Sequence, residues 1–188
     1  MFSQQFNSMT KKSLTTALFL LFSLPFFAGA QAKLEKRALL NGRIELLVPV
    51  NFKPMTKEMM AIKYPNPGQQ PGVVLTDENA EVNIVATFTP QPIQPSQVGQ
   101  YKEFLMNSLK KSHPGAKWLE DGVKTVNGKN VGYFKMITPA ADQNVFVYYF
   151  FTNMDARVLL LTFNCTETLL PKWKATAETI VASLKIVQ

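Results

Sequence analysis

The sequence predicts an α+β protein, a three-layer α/β/α sandwich around a largely antiparallel central sheet of about six or seven strands. Helical periodicity is confined to residues 57–63, 97–111 and 171–184, while strand-like segments joined by short polar turns fill most of the remainder. The apolar runs 145–151 and 158–163 do not alternate with polar residues. Runs of this kind indicate central strands that are covered on both faces.

Residues 1–30 have the three parts of a secretory signal peptide. The pair Lys11-Lys12 is followed by the apolar stretch 14–27 and by the small-x-small sequence Ala28-Gly29-Ala30, which suits signal peptidase. We expect translation to start at Met9, because the positively charged region before the apolar stretch is then more compact than it is with a start at Met1. An uncleaved membrane anchor would need about 20 apolar residues. Because no cysteine near the cleavage site can carry a lipid, we expect a periplasmic or secreted product.

The mature chain is expected to form one domain, residues 31–188. A second cleavage register after Ala32 leaves both Gln31 and Lys33 open as the first residue. Loss of the two signal-peptide lysines lowers the formal net charge from +7 to +5. The remaining positive residues are scattered and do not alternate with exposed aromatic residues, so no nucleic acid partner is expected.

The mature chain begins with a predicted strand and a short helix. Residues 43–48 are apolar and partly alternating, and Pro49 ends this strand because proline has no N–H to donate. Thr56 is a suitable N-cap for a helix over residues 57–63. This helix closes before Pro65, since a residue that precedes proline disfavours the helical conformation.

Two proline-rich segments flank a predicted hairpin. Residues 66–72 form a loop, and strands 73–76 and 82–88 follow, joined by the polar residues 77–81. The prolines within residues 89–95 predict a stiff crossing segment rather than more strand.

The longest predicted helix covers residues 97–111, with Ser96 as its N-cap and His113-Pro114-Gly115 as its end. Its apolar residues recur at spacings of three and four, so one side is expected to be buried. The predicted buried side contains Val98, Tyr101, Leu105 and Leu109, and the predicted exposed side contains Lys102, Glu103, Lys110 and Lys111.

Two further hairpins and a helix complete the prediction. Strands 117–126 and 131–138 flank Asn127-Gly128, a dipeptide that readily adopts the positive φ angles of a tight turn. Strands 145–152 and 157–163 flank a four-residue turn. The last helix, residues 171–184, has an apolar stripe formed by Trp173, Ala177, Ile180, Val181 and Leu184.

A set of short motifs is spread over most of the mature chain: Pro49-x-x-Phe52, Lys63-Tyr64-Pro65, Thr76-Asp77-Glu78-Asn79, Asn83, Trp118, Asn127-Gly128, Phe163-Asn164-Cys165, Trp173 and Ser183-Leu184-Lys185-Ile186. Together these motifs resemble the PsbP-like superfamily. That group includes the extrinsic PsbP subunit of photosystem II, eukaryotic Ran-binding relatives and exported bacterial proteins of the DcrB type. The resemblance implies a three-layer sandwich without a shared enzymatic activity and a tendency to bind partners or assist assembly. The lipid-anchor cysteine of DcrB-like proteins is missing here.

The residue types needed for nucleophilic catalysis or a zinc site are scarce. The chain has one histidine, His113, which we interpret as a turn residue at a helix end. Its one cysteine, Cys165, lies in an apolar strand and is expected to be a buried core thiol. Two such residues are too few for structural zinc, which takes three or four cysteine or histidine ligands.

Acidic residues do not form a convincing site either. Asp77, Asn79 and Glu81 have the spacing of the first half of a calcium loop, but Val82 and Phe88 stand where glycine and a bidentate glutamate are needed. Glu120 and Asp121 are adjacent on a strand and must point to opposite faces. We therefore predict no catalytic, cofactor-binding or metal-binding residues.

The sequence is most typical of an exported, non-catalytic binding or accessory protein of the bacterial cell envelope. Its expected partner is another envelope or periplasmic protein, bound through the stiff segments 66–72 or 89–95, although these prolines also serve to stiffen crossovers. Two alternatives remain open. One is a membrane-surface protein that uses Lys33, Lys36 and Arg37, and the other is an enzyme of unrecognised type. No cofactor is expected.

Overall fold

The structure, a computed structural model, describes residues 32–66, 68, 70–140 and 142–187. The predicted signal peptide 1–30, its cleavage position after Ala30 and the possible start at Met9 lie outside the described residues. Within the described part, no helix is long and apolar enough to cross a membrane.

The described residues form ten strands and three α-helices. In chain order the strands are β1 (Leu34–Leu39), β2 (Ile44–Pro49), β3 (Lys53–Pro54), β4 (Val73–Thr76), β5 (Val82–Pro92), β6 (Lys117–Val126), β7 (Lys129–Pro139), β8 (Asn144–Met154), β9 (Arg157–Thr166) and β10 (Lys185–Ile186). The helices are α1 (Lys57–Lys63), α2 (Val98–Ser112) and α3 (Leu170–Ala182).

Seven strands form the main sheet in the order β3-β4-β5-β9-β8-β7-β6, and every neighbouring pair is antiparallel. The predicted fold class and strand number are confirmed. Because β6 to β9 follow one another as hairpins, each strand lies beside the next in the chain. A smaller sheet, β1-β2-β10, lies apart from the main one.

Local chemistry determines the hairpin turns. Asn127 and Gly128 have φ angles of 45° and 77° and form the predicted two-residue turn between β6 and β7. The turn between β8 and β9 is also two residues, Asp155 and Ala156, with φ angles of 50° and 56°. It is shorter than predicted because Asn153 already pairs with β9.

The layer on one face of the main sheet contains α3 and the smaller sheet. The predicted stripe of α3 is buried, with Trp173 7% exposed and Ile180 fully covered. The strand predicted at 43–48 is confirmed as β2, but it belongs to the smaller sheet, where it pairs with β1 and β10. The strand β1 at residues 34–39 was not predicted, because its sequence is rich in charged residues.

The opposite face of the main sheet carries α1 and α2. Thr56 Oγ1 accepts the N–H of Met59 at 3.2 Å, so the predicted cap and bounds of α1 are confirmed. At α2, Ser96 is not the N-cap, because a 3₁₀ turn that begins at Pro95 already includes it. Lys102, near the N-terminal end of α2, is buried where it pairs with Asp121, so its predicted exposure is wrong.

The two helices on this face leave part of the sheet uncovered. In β9, Leu161 and Phe163 point toward α3 and are fully buried. Leu160, Thr162 and Asn164 point to the other face and are only half-buried. The prediction that the central strands are covered on both faces therefore holds fully for the α3 side only.

Candidate functional site

The histidine and the cysteine lie in structural positions. His113 is the C-cap of α2, and its N–H donates to the carbonyl of Leu109 at 2.8 Å. Ser112 Oγ lies 2.9 Å from its Nδ1. Cys165 is fully buried, as predicted, and burial raises the pKa of its thiol to about 12. These positions supply no activated nucleophile.

The candidate calcium loop is a closed turn. Asp77 Oδ1 accepts the N–H groups of Glu81 and Val82 at 2.9 and 3.1 Å. The ammonium of Lys63 donates to the carbonyl of Ala80 in the same turn. Burial lowers the pKa of Lys63, although the nearby charges of Asp77 and Glu81 act in the opposite direction.

The three cations of the proposed membrane surface do not form one patch. Arg37 donates to the carbonyl of Phe52 at 2.6 Å and pairs with Glu35 at 2.8 Å, so it fastens β1 to the following segment. Lys36 lies 3.7 Å from Glu45 on the other face of the strand. Of the three, Lys33 alone has a side chain without a partner among the described residues.

A dense cluster of titratable side chains lies between the main sheet and α3. Strand register places Glu120, Lys135 and Tyr148 side by side across β6, β7 and β8. Helix α3 adds Glu178, which accepts from Lys135. The Lys135 ammonium lies 2.7 Å from Glu120 Oε2. As predicted, Asp121 points away from this cluster, toward the opposite face. We call this group the Lys135 cluster.

Two further side chains close the Lys135 cluster. Tyr148 Oη donates to Glu178 at 3.1 Å and accepts from Lys124 at 2.9 Å. Tyr133 Oη donates to Glu120 at 3.0 Å. Each charged group therefore has an opposite charge or a hydroxyl within hydrogen-bond distance, which lowers the cost of burial.

The pKa directions in the Lys135 cluster follow from these contacts. Burial lowers the pKa of Lys135, but its hydrogen bonds to Glu120 and Glu178 outweigh that effect, and the net change is upward. The hydrogen bond from Lys135 holds the pKa of Glu120 below its ordinary value. Burial and the Glu178 charge raise the pKa of Tyr148. The lysine thus stays charged and the phenol stays protonated.

A cleft of about 260 Å³ opens beside the Lys135 cluster. Leu119 and Phe146 form part of its apolar wall, and Lys174 of α3 lies at its edge. The Lys135 side chain is 9% exposed, whereas Glu120 and Glu178 are 54% and 41% exposed. The lysine is therefore the buried centre of an ion-pair network that mainly fastens α3 to the sheet.

A second concavity lies at the predicted segment 89–95, on the α2 face. It has a volume of about 240 Å³ and is bounded by the end of β5 and the first turns of α2. Phe104, which is 63% exposed, stands at its rim 6.0 Å from the ring of Tyr101. The lining residues of this Phe104 groove carry no charge: Gln91, Pro92, Ile93, Gln97, Gln100, Tyr101 and Phe104.

Hydrogen bonds from three backbone N–H groups hold the wall of the Phe104 groove in place. Ile93 N–H donates to the carbonyl of Ala156 at 2.9 Å, which ties the segment to the β8–β9 turn. Gln94 N–H donates to Gln97 Oε1 at 2.8 Å, and Gln97 N–H returns to the Gln94 carbonyl at 2.9 Å. Beneath the groove, Tyr101 packs edge-on against Phe151 at 5.1 Å. The groove is therefore preformed.

The sequence indicated only part of these two sites. The prolines pointed to residues 89–95, but β5 extends through Pro92 and pairs with Arg157 across a register shift. Phe104 lies outside the apolar periodicity of α2, and that mismatch was the signal that could have marked it. Lys135 gave no signal, since its partners come from three separate elements.

Comparison with known proteins gives fold likeness only. No protein-family model matches the sequence, and no curated protein is detectably similar to it. Cyanobacterial PsbP (CyanoP) from Synechocystis sp. PCC 6803 is 14% identical, with a TM-score of 0.58, covering 83% of this chain and 94% of that one.

Two other solved structures are similar over comparable lengths. LpqN of Mycobacterium tuberculosis, described as involved in cell envelope biogenesis, is 16% identical, with a TM-score of 0.54 over 83% of this chain and 91% of that one. PA94 of Pseudomonas aeruginosa, a protein of unknown function, is 14% identical, with a TM-score of 0.50 over 84% and 99%. The chain therefore has the PsbP-like fold, an α+β sandwich with a seven-stranded antiparallel sheet.

Proposed function

We propose that this chain is an exported, non-catalytic accessory protein of the bacterial cell envelope that binds a segment of another envelope protein in the Phe104 groove. One observation carries the proposal. Phe104 is 63% exposed at the rim of a preformed, uncharged concavity. Exposed aromatic residues beside a pocket are typical anchors of protein interfaces.

The chemistry of the Phe104 groove favours an uncharged segment with an apolar anchor. Three glutamine side chains offer donors and acceptors to a peptide backbone, while Ile93, Tyr101 and Phe104 supply apolar contact. A charged segment would lose its hydration without gaining an opposite charge. Because hydrogen bonds already order the wall, little conformational entropy is lost on binding.

The directions of the pKa changes support binding over catalysis. A lysine nucleophile or base needs a lowered pKa, whereas the pKa values of Lys135 and Lys102 are raised. Burial lowers the pKa of Lys63, but its ammonium already donates to the carbonyl of Ala80. The thiol of Cys165 is likewise held in its protonated form by burial. The membrane-surface alternative is less favoured because Lys36 and Arg37 are already paired.

Export rests on the signal-peptide pattern of residues 1–30. The structural neighbour LpqN is described as involved in cell envelope biogenesis, which is compatible with the same compartment. An oxidising compartment also suits a chain whose one cysteine is fully buried.

Photo-crosslinking in intact cells tests the proposed function. A photoreactive amino acid at Gln100, inside the groove, should capture one exported protein. Phe104→Ala should abolish the crosslink. Ile62→Ala is the matched control, since Ile62 is 79% exposed on α1 and its loss removes exposed apolar surface elsewhere.

The possible outcomes separate the alternatives. Capture that depends on Phe104 but not on Ile62 supports the groove. Capture that both variants preserve, or capture of lipid alone, would overturn the proposal. So would recovery of the unprocessed chain in the cytoplasm.

A further inference from the structure

A third concavity, of about 240 Å³, lies in the layer opposite the Phe104 groove. It is formed where the start of β1 and the residues after β2 meet the first turns of α3. We call it the Lys172 pocket. Its lining residues are Ala32, Lys33, Val50, Asn51, Lys172, Trp173 and Thr176.

Two exposed lysines, Lys33 and Lys172, line the Lys172 pocket. Neither Lys33 nor Lys172 has an ion-pair or hydrogen-bond partner for its side chain among the described residues. By contrast, Lys36 and Lys185 in the same layer both pair with Glu45, at 3.7 and 3.5 Å. No acidic residue lines the pocket. The pocket therefore presents positive charge that the protein itself does not balance.

A buried hydroxyl in the lining of the Lys172 pocket is an independent indication that the pocket binds a polar ligand. Thr176 is 1% exposed, and within the described residues its Oγ1 is the one buried side-chain polar atom without a hydrogen-bond partner. Helical threonines usually bond the carbonyl one turn back. A buried polar group without a partner is costly, so such groups commonly mark a ligand or an ordered water.

We infer that the Lys172 pocket binds a tetrahedral oxyanion of the phosphate type. Lysines act as point charges that suit phosphate, whereas a planar carboxylate is better matched by arginine, and no arginine lines the pocket. The Asn51 amide and the Thr176 hydroxyl supply uncharged donors. This site is separate from the Phe104 groove and goes beyond the proposed function.

The volume of the Lys172 pocket leaves room for a substituent on the phosphate. Trp173 forms part of its wall and packs against Phe52 and Phe163 at ring distances of 5.7 and 6.0 Å. Two kinds of ligand carry the phosphoryl group that the pocket would bind: a soluble phosphate and a phospholipid headgroup.

Tryptophan fluorescence measures binding directly. The chain has two tryptophans, and Trp118→Phe leaves Trp173 as the single reporter. The protein, purified from the cells that produce it, is titrated with potassium phosphate against potassium chloride of equal ionic strength. We expect a saturable change in Trp173 emission with phosphate and none with chloride.

Three variants test which groups form the Lys172 pocket. Lys172→Gln and Thr176→Val should each weaken phosphate binding by about tenfold or more, equivalent to about 1.4 kcal/mol. Lys174→Gln is the control, because it removes the same charge from α3 beside a different cleft. Thr176→Val should also leave the Tm of the phosphate-free protein unchanged or higher, since it removes an unpartnered polar group.

Vesicles distinguish the source of the phosphoryl group. If sedimentation with phosphatidylglycerol vesicles depends on Lys172 while soluble phosphate gives no signal, the ligand is a lipid headgroup and the oxyanion site stands. A response to neither probe would overturn the inference. Equal losses in Lys172→Gln and Lys174→Gln would also overturn it, since they would indicate only general charge attraction.

Discussion

Replacing Lys135 by methionine should destabilise the protein by about 2 kcal/mol. The side chain is 9% exposed and donates two charge-assisted hydrogen bonds, each of which contributes about 1.5–3 kcal/mol when buried. Glu120 and Glu178 are 54% and 41% exposed, so both carboxylates regain water when the lysine is lost. That rehydration reduces the expected cost to the stated value.

Thermal unfolding followed by circular dichroism measures this effect. For a domain of this size, about 2 kcal/mol corresponds to a fall in Tm of about 4–8 °C. Lys174→Met, at the edge of the same cleft but without an ion-pair partner among the described residues, should change stability by less than about 0.5 kcal/mol. An unchanged or raised Tm for Lys135→Met would refute the role given to the Lys135 cluster. The Gln100 crosslink should persist in this variant.

Three other predictions concern stability and reactivity. Because its pKa is lowered from 4.5, Glu120 stabilises the fold above that pH and ceases to do so as the pH falls through its folded-state value. The Tm difference between wild type and Glu120→Gln should therefore shrink below pH 4.5, and a constant difference would contradict this. Cys165 should react with a thiol reagent only in denaturant, and rapid labelling of the native protein would show that it is not buried. Gly132→Ala should lower stability by about 1–3 kcal/mol in urea unfolding, because its Cβ would lie 2.5 Å from Phe151; an unaltered midpoint would disprove that contact.

Local chemistry made several elements predictable from the sequence. The Thr56 cap, the Asn127–Gly128 turn and the apolar stripe of α3 each depend on residues close together in the chain. The strand β1 escaped prediction because its charged residues are satisfied by distant partners. Arg37, for example, donates to the Phe52 carbonyl, and that contact exists only after the chain has folded back.

The sites depend on register and docking, which local patterns do not contain. Lys135 becomes the centre of a cluster only because a register shift after Trp118 sets Glu120 opposite it and α3 brings Glu178 above it. The periodicity of α2 predicted an exposed Lys102, yet its side chain is buried where it pairs with Asp121 on the edge strand β6. The stiffness of residues 89–95 could be predicted from their prolines. The groove beside them could not, because it depends on where the folded chain places Phe104.

The affinity of the purified protein for the partner captured at Gln100 tests the central claim most directly. Isothermal titration should give binding that Phe104→Ala weakens by more than tenfold, or about 1.4 kcal/mol, since a rim aromatic residue is expected to be an interface anchor. Ile62→Ala should bind as the wild type does. Equal affinity of Phe104→Ala and wild type would contradict the Phe104 groove as the binding surface.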